Sequence, residues 1–183
     1  MRIIAGEYRS RIIKTPKNNK TRPTTDKIRE ALFNVIGPYF DGGRLLDIFA
    51  GSGAVAIEGL SRGFDKAVLI DKDVEAIRCI KENIKQLDIS DRCFVINNDY
   101  KKALFKLKGT QRFDLIYIDP PYRFIEYEDL IKLLVSCDLL DHLALIIIET
   151  TKDQILNDRY NDIIKYKESI YGISKLTYYK KEE

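Results

Sequence analysis

Leu45-Leu46-Asp47-Ile48-Phe49-Ala50-Gly51-Ser52-Gly53 is a near-continuous apolar run that breaks into a glycine turn. Arg44 to Ala50 reads as a buried strand, and Ala54 to Leu60 as the helix that follows, closed by Gly63. Glycine at the turn permits positive φ and close approach of a ligand to the backbone. Working outward, the alternation of strand and helix repeats. Strands are expected at Lys66 to Asp71, Cys93 to Asn97, Phe113 to Ile118 and Leu143 to Glu149. Helices are expected at Val74 to Leu87, Lys101 to Leu107 and Glu128 to Leu140. Strands this apolar belong to a parallel sheet covered on both faces. A polar helix is expected near Lys152 to Arg159. Ile163 to Tyr171 with Ser174 to Lys180 reads as a closing antiparallel hairpin around Gly172.

Upstream of the sheet, Arg2 to Thr15 alternates loosely and reads as a short β-hairpin. Pro16 to Pro23 is a polar, basic loop. A helix begins at Thr24 or Thr25 as N-cap, carries Ile28, Ala31, Leu32, Val35 and Ile36 on one face, and ends at Gly37-Pro38. The expected architecture is α/β and Rossmann-like, a mostly parallel seven-stranded sheet with a C-terminal antiparallel hairpin and an N-terminal hairpin plus helix. At 183 residues the chain is long enough for one domain with a real core. Residues 1–40 form an arm on a core at 41–183.

Hydrophobic content of 45% with 32% charged residues is that of a soluble globular protein. No apolar stretch approaches membrane-spanning length, and no signal-peptide core is present, so a cytoplasmic location is expected. Cys79, Cys93 and Cys137 are widely spaced and read as buried small hydrophobes in a reducing compartment. The single histidine, His142, leaves no metal cluster and disfavours a Ser/His or Cys/His mechanism. The net charge of +3 is uneven. Residues 1–40 hold nine Lys/Arg against three Asp/Glu, or 9 − 3 = +6, which leaves 22 − 25 = −3 for the remainder. A basic arm on a mildly acidic body suits a polyanion at one end, although a solvated polar face would show the same charge.

Acids recur where strands end: Asp47, Asp71, Asp99 and Asp119. In open parallel sheets ligands bind beyond the carboxyl ends of the strands. Asp71, at the end of the strand after the glycine turn, is placed to accept both hydroxyls of a ribose, and Asp99 could accept from an adenine amine. The turn Gly51-Ser52-Gly53-Ala54-Val55-Ala56 lacks the third glycine of a dinucleotide fingerprint, and Asp47 would repel a pyrophosphate. It would attract an ammonium. S-adenosylmethionine, with an ammonium, a sulfonium, a ribose and no phosphate, fits Asp47, Phe49, Gly51, Gly53, Asp71 and Asp99 better. Each acid alone could instead cap the helix that follows it.

Asp119-Pro120-Pro121-Tyr122 follows the strand Leu115-Ile116-Tyr117-Ile118. Proline fixes φ and removes a donor, and biases the preceding residue toward extended backbone. A carboxylate, outward carbonyls and one ring then stand together at the rim. They suit a planar ligand with an exocyclic amine: Asp119 and the Pro120 carbonyl accept its hydrogens, and Tyr122 stacks an extruded base. Guanine N2 and adenine N6 both satisfy these groups, and a strand terminator with a rim aromatic would look alike.

The combination resembles the class I S-adenosylmethionine-dependent methyltransferases, among them those acting on exocyclic base amines. Thr21-Arg22-Pro23-Thr24-Thr25-Asp26-Lys27-Ile28-Arg29-Glu30-Ala31-Leu32-Phe33-Asn34, after Arg2-Ile3-Ile4-Ala5-Gly6-Glu7-Tyr8-Arg9-Ser10-Arg11, resembles the signature and opening hairpin of the RsmD family. That family comprises bacterial 16S rRNA guanine-N2 methyltransferases, and the resemblance spans essentially the whole chain. It implies one guanine of small-subunit rRNA as substrate, methylated at N2 within a ribosomal assembly particle; the sequence itself leads us to expect no membrane and no metal, and a monomer is expected. Asp71 stands where many relatives carry Glu, and Tyr122 where Phe is also found. Arg2, Arg9, Arg11, Arg22, Thr24 and Arg29 would track the RNA backbone. Arg29 could equally pair with an acid on its own helix.

Overall fold

The computed structural model describes residues 1–16 and 25–182. Eight strands form one sheet in the order β3-β2-β1-β4-β5-β8-β7-β6. Five are mutually parallel: β1 (Arg44–Ile48), β2 (Lys66–Asp71), β3 (Cys93–Asn97), β4 (Phe113–Ile118) and β5 (Leu140–Thr151). β8 (Ser174–Lys181) runs antiparallel to β5, and β7 (Ile163–Tyr171) and the two-residue β6 (Arg159–Tyr160) extend that edge. The Rossmann-like α/β fold and the closing hairpin are as the sequence predicts. The eighth strand is not. Residues 152–158 form a turn and extended chain rather than a polar helix, and Arg159 already opens β6. Only Leu156 in that stretch is buried while Ile155 is 86% exposed, so no apolar stripe exists to hold a helix on the core.

Alternate residues of each strand feed two layers. Leu46, Ile48, Ile116, Ile118 and Ile146 face α4 (Tyr100–Leu107) and α5 (Tyr127–Ser136). Leu45, Leu115, Tyr117 and Ile147 face α1 (Asp26–Ile36), α2 (Ala54–Ser61) and α3 (Val74–Leu87). Helix starts follow the expected chemistry. Thr25 caps α1 by accepting from the Ile28 N–H, and Asp73 caps α3 by accepting from Glu75 and Ala76. α5 stops short of its expected end at Leu140, because the chain turns at Asp138 (φ +54°) and enters β5.

The N-terminal hairpin is one bridge, Arg2 opposite Ile12, supported by Ile3–Arg11, Ser10–Ile3 and Ile13–Met1 backbone bonds. It is fastened to α2. Glu58, fully buried, accepts from the Ile4 and Ala5 N–H groups and from Arg62 Nε at 2.8 Å. The Ser61 carbonyl and hydroxyl accept from the Glu7 and Tyr8 N–H groups. Glycine is required at this junction for its freedom at positive φ and its missing side chain. Gly6 has φ +83°, and a Cβ there would lie 1.7 Å from the Ser61 carbonyl oxygen.

Candidate active site

The glycine turn closes β1 onto α2 through an unusual backbone. Phe49 has φ +67° and Gly51 φ +58°, and the Gly53 N–H donates to the Ala50 carbonyl at 2.7 Å. A non-glycine residue in the left-handed region costs on the order of 1 kcal/mol and marks functional turns. The Phe49 ring is held against Tyr100 and Phe124 at 5.4 and 5.5 Å. A Cβ on Gly51 would meet no atom within 4 Å, so this face of the turn opens into the cleft. Gly53 packs on Leu69 instead.

One cleft runs along the carboxyl ends of β1, β4 and β5. Its lining joins Asp47, Phe49 and Gly51 at one end to Asp119, Pro120 and Tyr122 at the other. Asp47 is 2% exposed and accepts from the Ala56 N–H at 3.3 Å. Burial pushes its carboxyl up to about 7; the Ala56 bond opposes this and the nearby Asp71 charge adds to it. Asp71 accepts from the Gly51 N–H at 2.8 Å and the Asp73 N–H at 2.9 Å, which fixes the carboxylate beneath the turn. Asp99 caps α4, accepting from the Lys101 N–H, and lies outside the cleft lining.

Asp119 continues directly from β4, with its N–H on the Ile48 carbonyl at 3.4 Å. The Phe124 N–H donates to the Pro121 carbonyl at 2.8 Å and tightens the turn. Tyr122 is 65% exposed at the cleft mouth, a ring presented to whatever enters. Tyr127 also lines the cleft; burial, then the Asp119 charge, pushes its phenol up to about 12.

The arm divides. Arg2, Arg9 and Arg11 are exposed. Arg11 reaches the Gln86 carbonyl, and Arg2 pairs with Asp26 at 3.6 Å. Arg29 does not belong with them. It is fully buried, pairs with Asp26 at 3.0 Å and Glu58 at 3.5 Å, and cannot meet an RNA backbone. Its place on the inward face of α1 puts the guanidinium into the Glu58 network, the same-helix acid Asp26 being the partner that sequence spacing allowed. Arg22 and Thr24 lie outside the described residues.

Sequence reasoning overlooked part of the cleft: Thr15 and Pro16 of the arm, Tyr117, Glu149, Thr150 and Ser174. Glu149 carried a legible signal, since it too follows an apolar run at the rim of the sheet. Tyr117 is an inward strand residue, indistinguishable in sequence from core.

The family model described as conserved hypothetical protein 95 matches residues 1–180. A Bacillus subtilis relative named "Putative rRNA methyltransferase YlbH" is 39% identical over 182 residues, covering 99% of both chains. "Ribosomal RNA small subunit methyltransferase D" of Haemophilus influenzae is 33% identical over 177 residues, covering 91% of this chain and 92% of that protein. Among solved structures, the Escherichia coli protein titled "Putative methyltransferase yhhF" superposes with a TM-score of 0.85 at 32% identity, over 100% of this chain and 98% of the other.

Proposed function

This chain belongs to the conserved hypothetical protein 95 family, the RsmD methyltransferases, and from that premise we propose that it methylates the N2 amine of one guanine in 16S rRNA of the small ribosomal subunit. The methyl donor is S-adenosylmethionine. The residues present fit it: Gly51 leaves room for a ligand against the turn, and Asp47 is a buried carboxylate to which an ammonium would bring a counter-charge. Asp71, held by two backbone N–H groups at the end of β2, would accept the ribose hydroxyls. When bound, the donor supplies an electrophilic methyl on a sulfonium.

The chain's own residues do the rest. Asp119 carboxylate and the Pro120 carbonyl accept the hydrogens of the exocyclic amine. This favours a pyramidal nitrogen whose lone pair is withdrawn from the ring. Tyr122 stacks the base once it leaves its helix. No strong base is required before attack, because the amine proton departs after the methyl arrives. Rate comes mainly from alignment of nitrogen, methyl and sulfur. Arg2, Arg9 and Arg11 track phosphates nearby, and residues 1–183 act as one methyltransferase domain with residues 1–40 as its RNA-binding arm. Among the described residues no helix is long and apolar enough to cross a membrane, and a cytoplasmic monomer without metal completes the reading.

The observation that carries this proposal is a single cleft lined by both the glycine turn with Asp47 and the Asp119–Tyr122 rim. Incubation with labelled S-adenosylmethionine and small-subunit particles from a strain lacking the modification, followed by nucleoside analysis, is expected to yield N2-methylguanosine. Label in N6-methyladenosine, or no label, would refute it.

A further inference from the structure

We infer that Glu149 is the specificity-determining residue for guanine over adenine, by accepting the ring N1–H beside the amine that Asp119 holds. The inference rests on the guanine-N2 reading above. Residues 117 and 118 pair in register with 147 and 148, so Asp119 and Glu149 follow side by side past the end of the ladder. Neighbouring strands are about 4.8 Å apart, which lets two carboxylates address adjacent atoms on one edge of a base. Sheet order puts Asp47 and Asp71 on one side of β4 and Glu149 on the other, away from the cofactor end. Glu149 is 8% exposed yet lines the cleft.

The carboxylate is clamped. The Tyr117 hydroxyl donates to Glu149 Oε2 at 2.5 Å. A carboxylate accepts several hydrogen bonds at once, so a base N–H can share it with the Tyr117 hydroxyl. Thr150, the next residue of β5, also belongs to the cleft lining, and its hydroxyl is buried with no hydrogen-bond partner among the described residues.

The chemistry separates two bases that Asp119 and Pro120 cannot. Guanine carries N1–H next to its amine and donates to a carboxylate. Adenine presents a lone pair at N1, and a carboxylate facing it is repelled. A site built around a substrate donor rejects the analogue lacking it far more strongly than an apolar pocket could.

The test uses small-subunit particles reconstituted with 2-aminopurine at the guanine that the wild-type protein methylates. This base keeps the 2-amine but exchanges N1–H for a lone pair. Wild-type kcat/KM is expected to fall at least about 10-fold on the substituted particle. In Glu149→Gln the side-chain amide can turn its N–H toward N1, and the preference should shrink to within about 3-fold. A merely structural Glu149 lowers both rates together and leaves their ratio intact, which would overturn the inference. So would equal wild-type rates on the two particles. If Glu149→Gln does not fold, Tyr117→Phe, which keeps the carboxylate but removes its clamp, is read by the same ratio and should lose part of the preference; an unchanged ratio overturns the inference. Absence of N2-methylguanosine on the unsubstituted particle removes the underlying reading, and is recognised separately.

Discussion

Replacing Asp47 by Asn should stabilise the protein at neutral pH while weakening the site. The carboxyl is 2% exposed on β1, and burial is the chief cause of its rise from 3.8 to about 7. Below pH 3.8 the group is protonated whether the chain is folded or unfolded. Between about 4 and 7 the unfolded chain releases the proton and the folded chain keeps it. The folded state therefore binds more protons, and stability falls as pH rises through this window, then levels. The loss corresponds to at most about 4 kcal/mol by linkage. Asparagine has no such slope and carries only a constant offset. For a chain of this length about 1 kcal/mol shifts Tm by roughly 2–4 °C. Thermal unfolding of both proteins without cofactor, from pH 4.5 to 8, should show the Asn variant gaining on the wild type by up to about 10 °C across the window. A difference that stays constant with pH would refute the buried-carboxylate reasoning. Binding of S-adenosylmethionine should show the converse. Wild-type affinity rises through pH 7 as Asp47 ionises against the ammonium, and the variant binds more weakly without that rise.

Asp119→Ala should abolish methyl transfer while calorimetry finds cofactor binding nearly intact; loss of cofactor affinity alone would show that Asp119 serves the other end of the cleft. Exchanging Arg2, Arg9 and Arg11 for Gln should weaken RNA binding and flatten its salt dependence by about 0.7–0.9 for each phosphate given up, read from filter binding at several salt concentrations. Glu58→Ala leaves the buried Arg62 without its carboxylate and removes one of the two acids paired with Arg29. It should cost about 3–5 kcal/mol by denaturant unfolding. The Cys93 thiol, pushed up to about 12 mainly by burial, should react with alkylating agents at pH 8 far more slowly than a free thiol.

The parallel core was readable because its strands are apolar on both faces and each is punctuated by a turn signal. β2, α3, β3 and β4 begin and end where periodicity and caps place them. The Asp119–Tyr122 rim was equally plain, since two prolines after an apolar run leave few alternatives. Local spacing fails where burial is decided by distant partners. Arg29 looks like a surface cation in a basic segment, and its full burial depends on partners that local spacing does not reveal, the hairpin's Arg2 carbonyl and Glu58 far along the chain on α2. Residues 152–158 have helix-forming composition, yet their fate depends on whether a neighbour offers an apolar surface. The Phe49 backbone has no signal beyond the glycines near it, and Tyr117 acquires its partner only when β4 and β5 align.

The fastening of the hairpin to α2 bears on how RNA recognition can be dissected. α2 spans only eight residues, with the glycine turn at its start and the hairpin's anchors, Glu58 and Ser61, in its second half. Deleting the hairpin would withdraw two backbone donors from the Glu58 carboxylate and would loosen the same helix that follows the glycine turn proposed to hold the methyl donor. A truncated protein that fails to methylate thus says nothing about RNA affinity. Charge-neutralising substitutions at the hairpin surface, with its backbone left in place, separate the two functions that a shortened chain would confound.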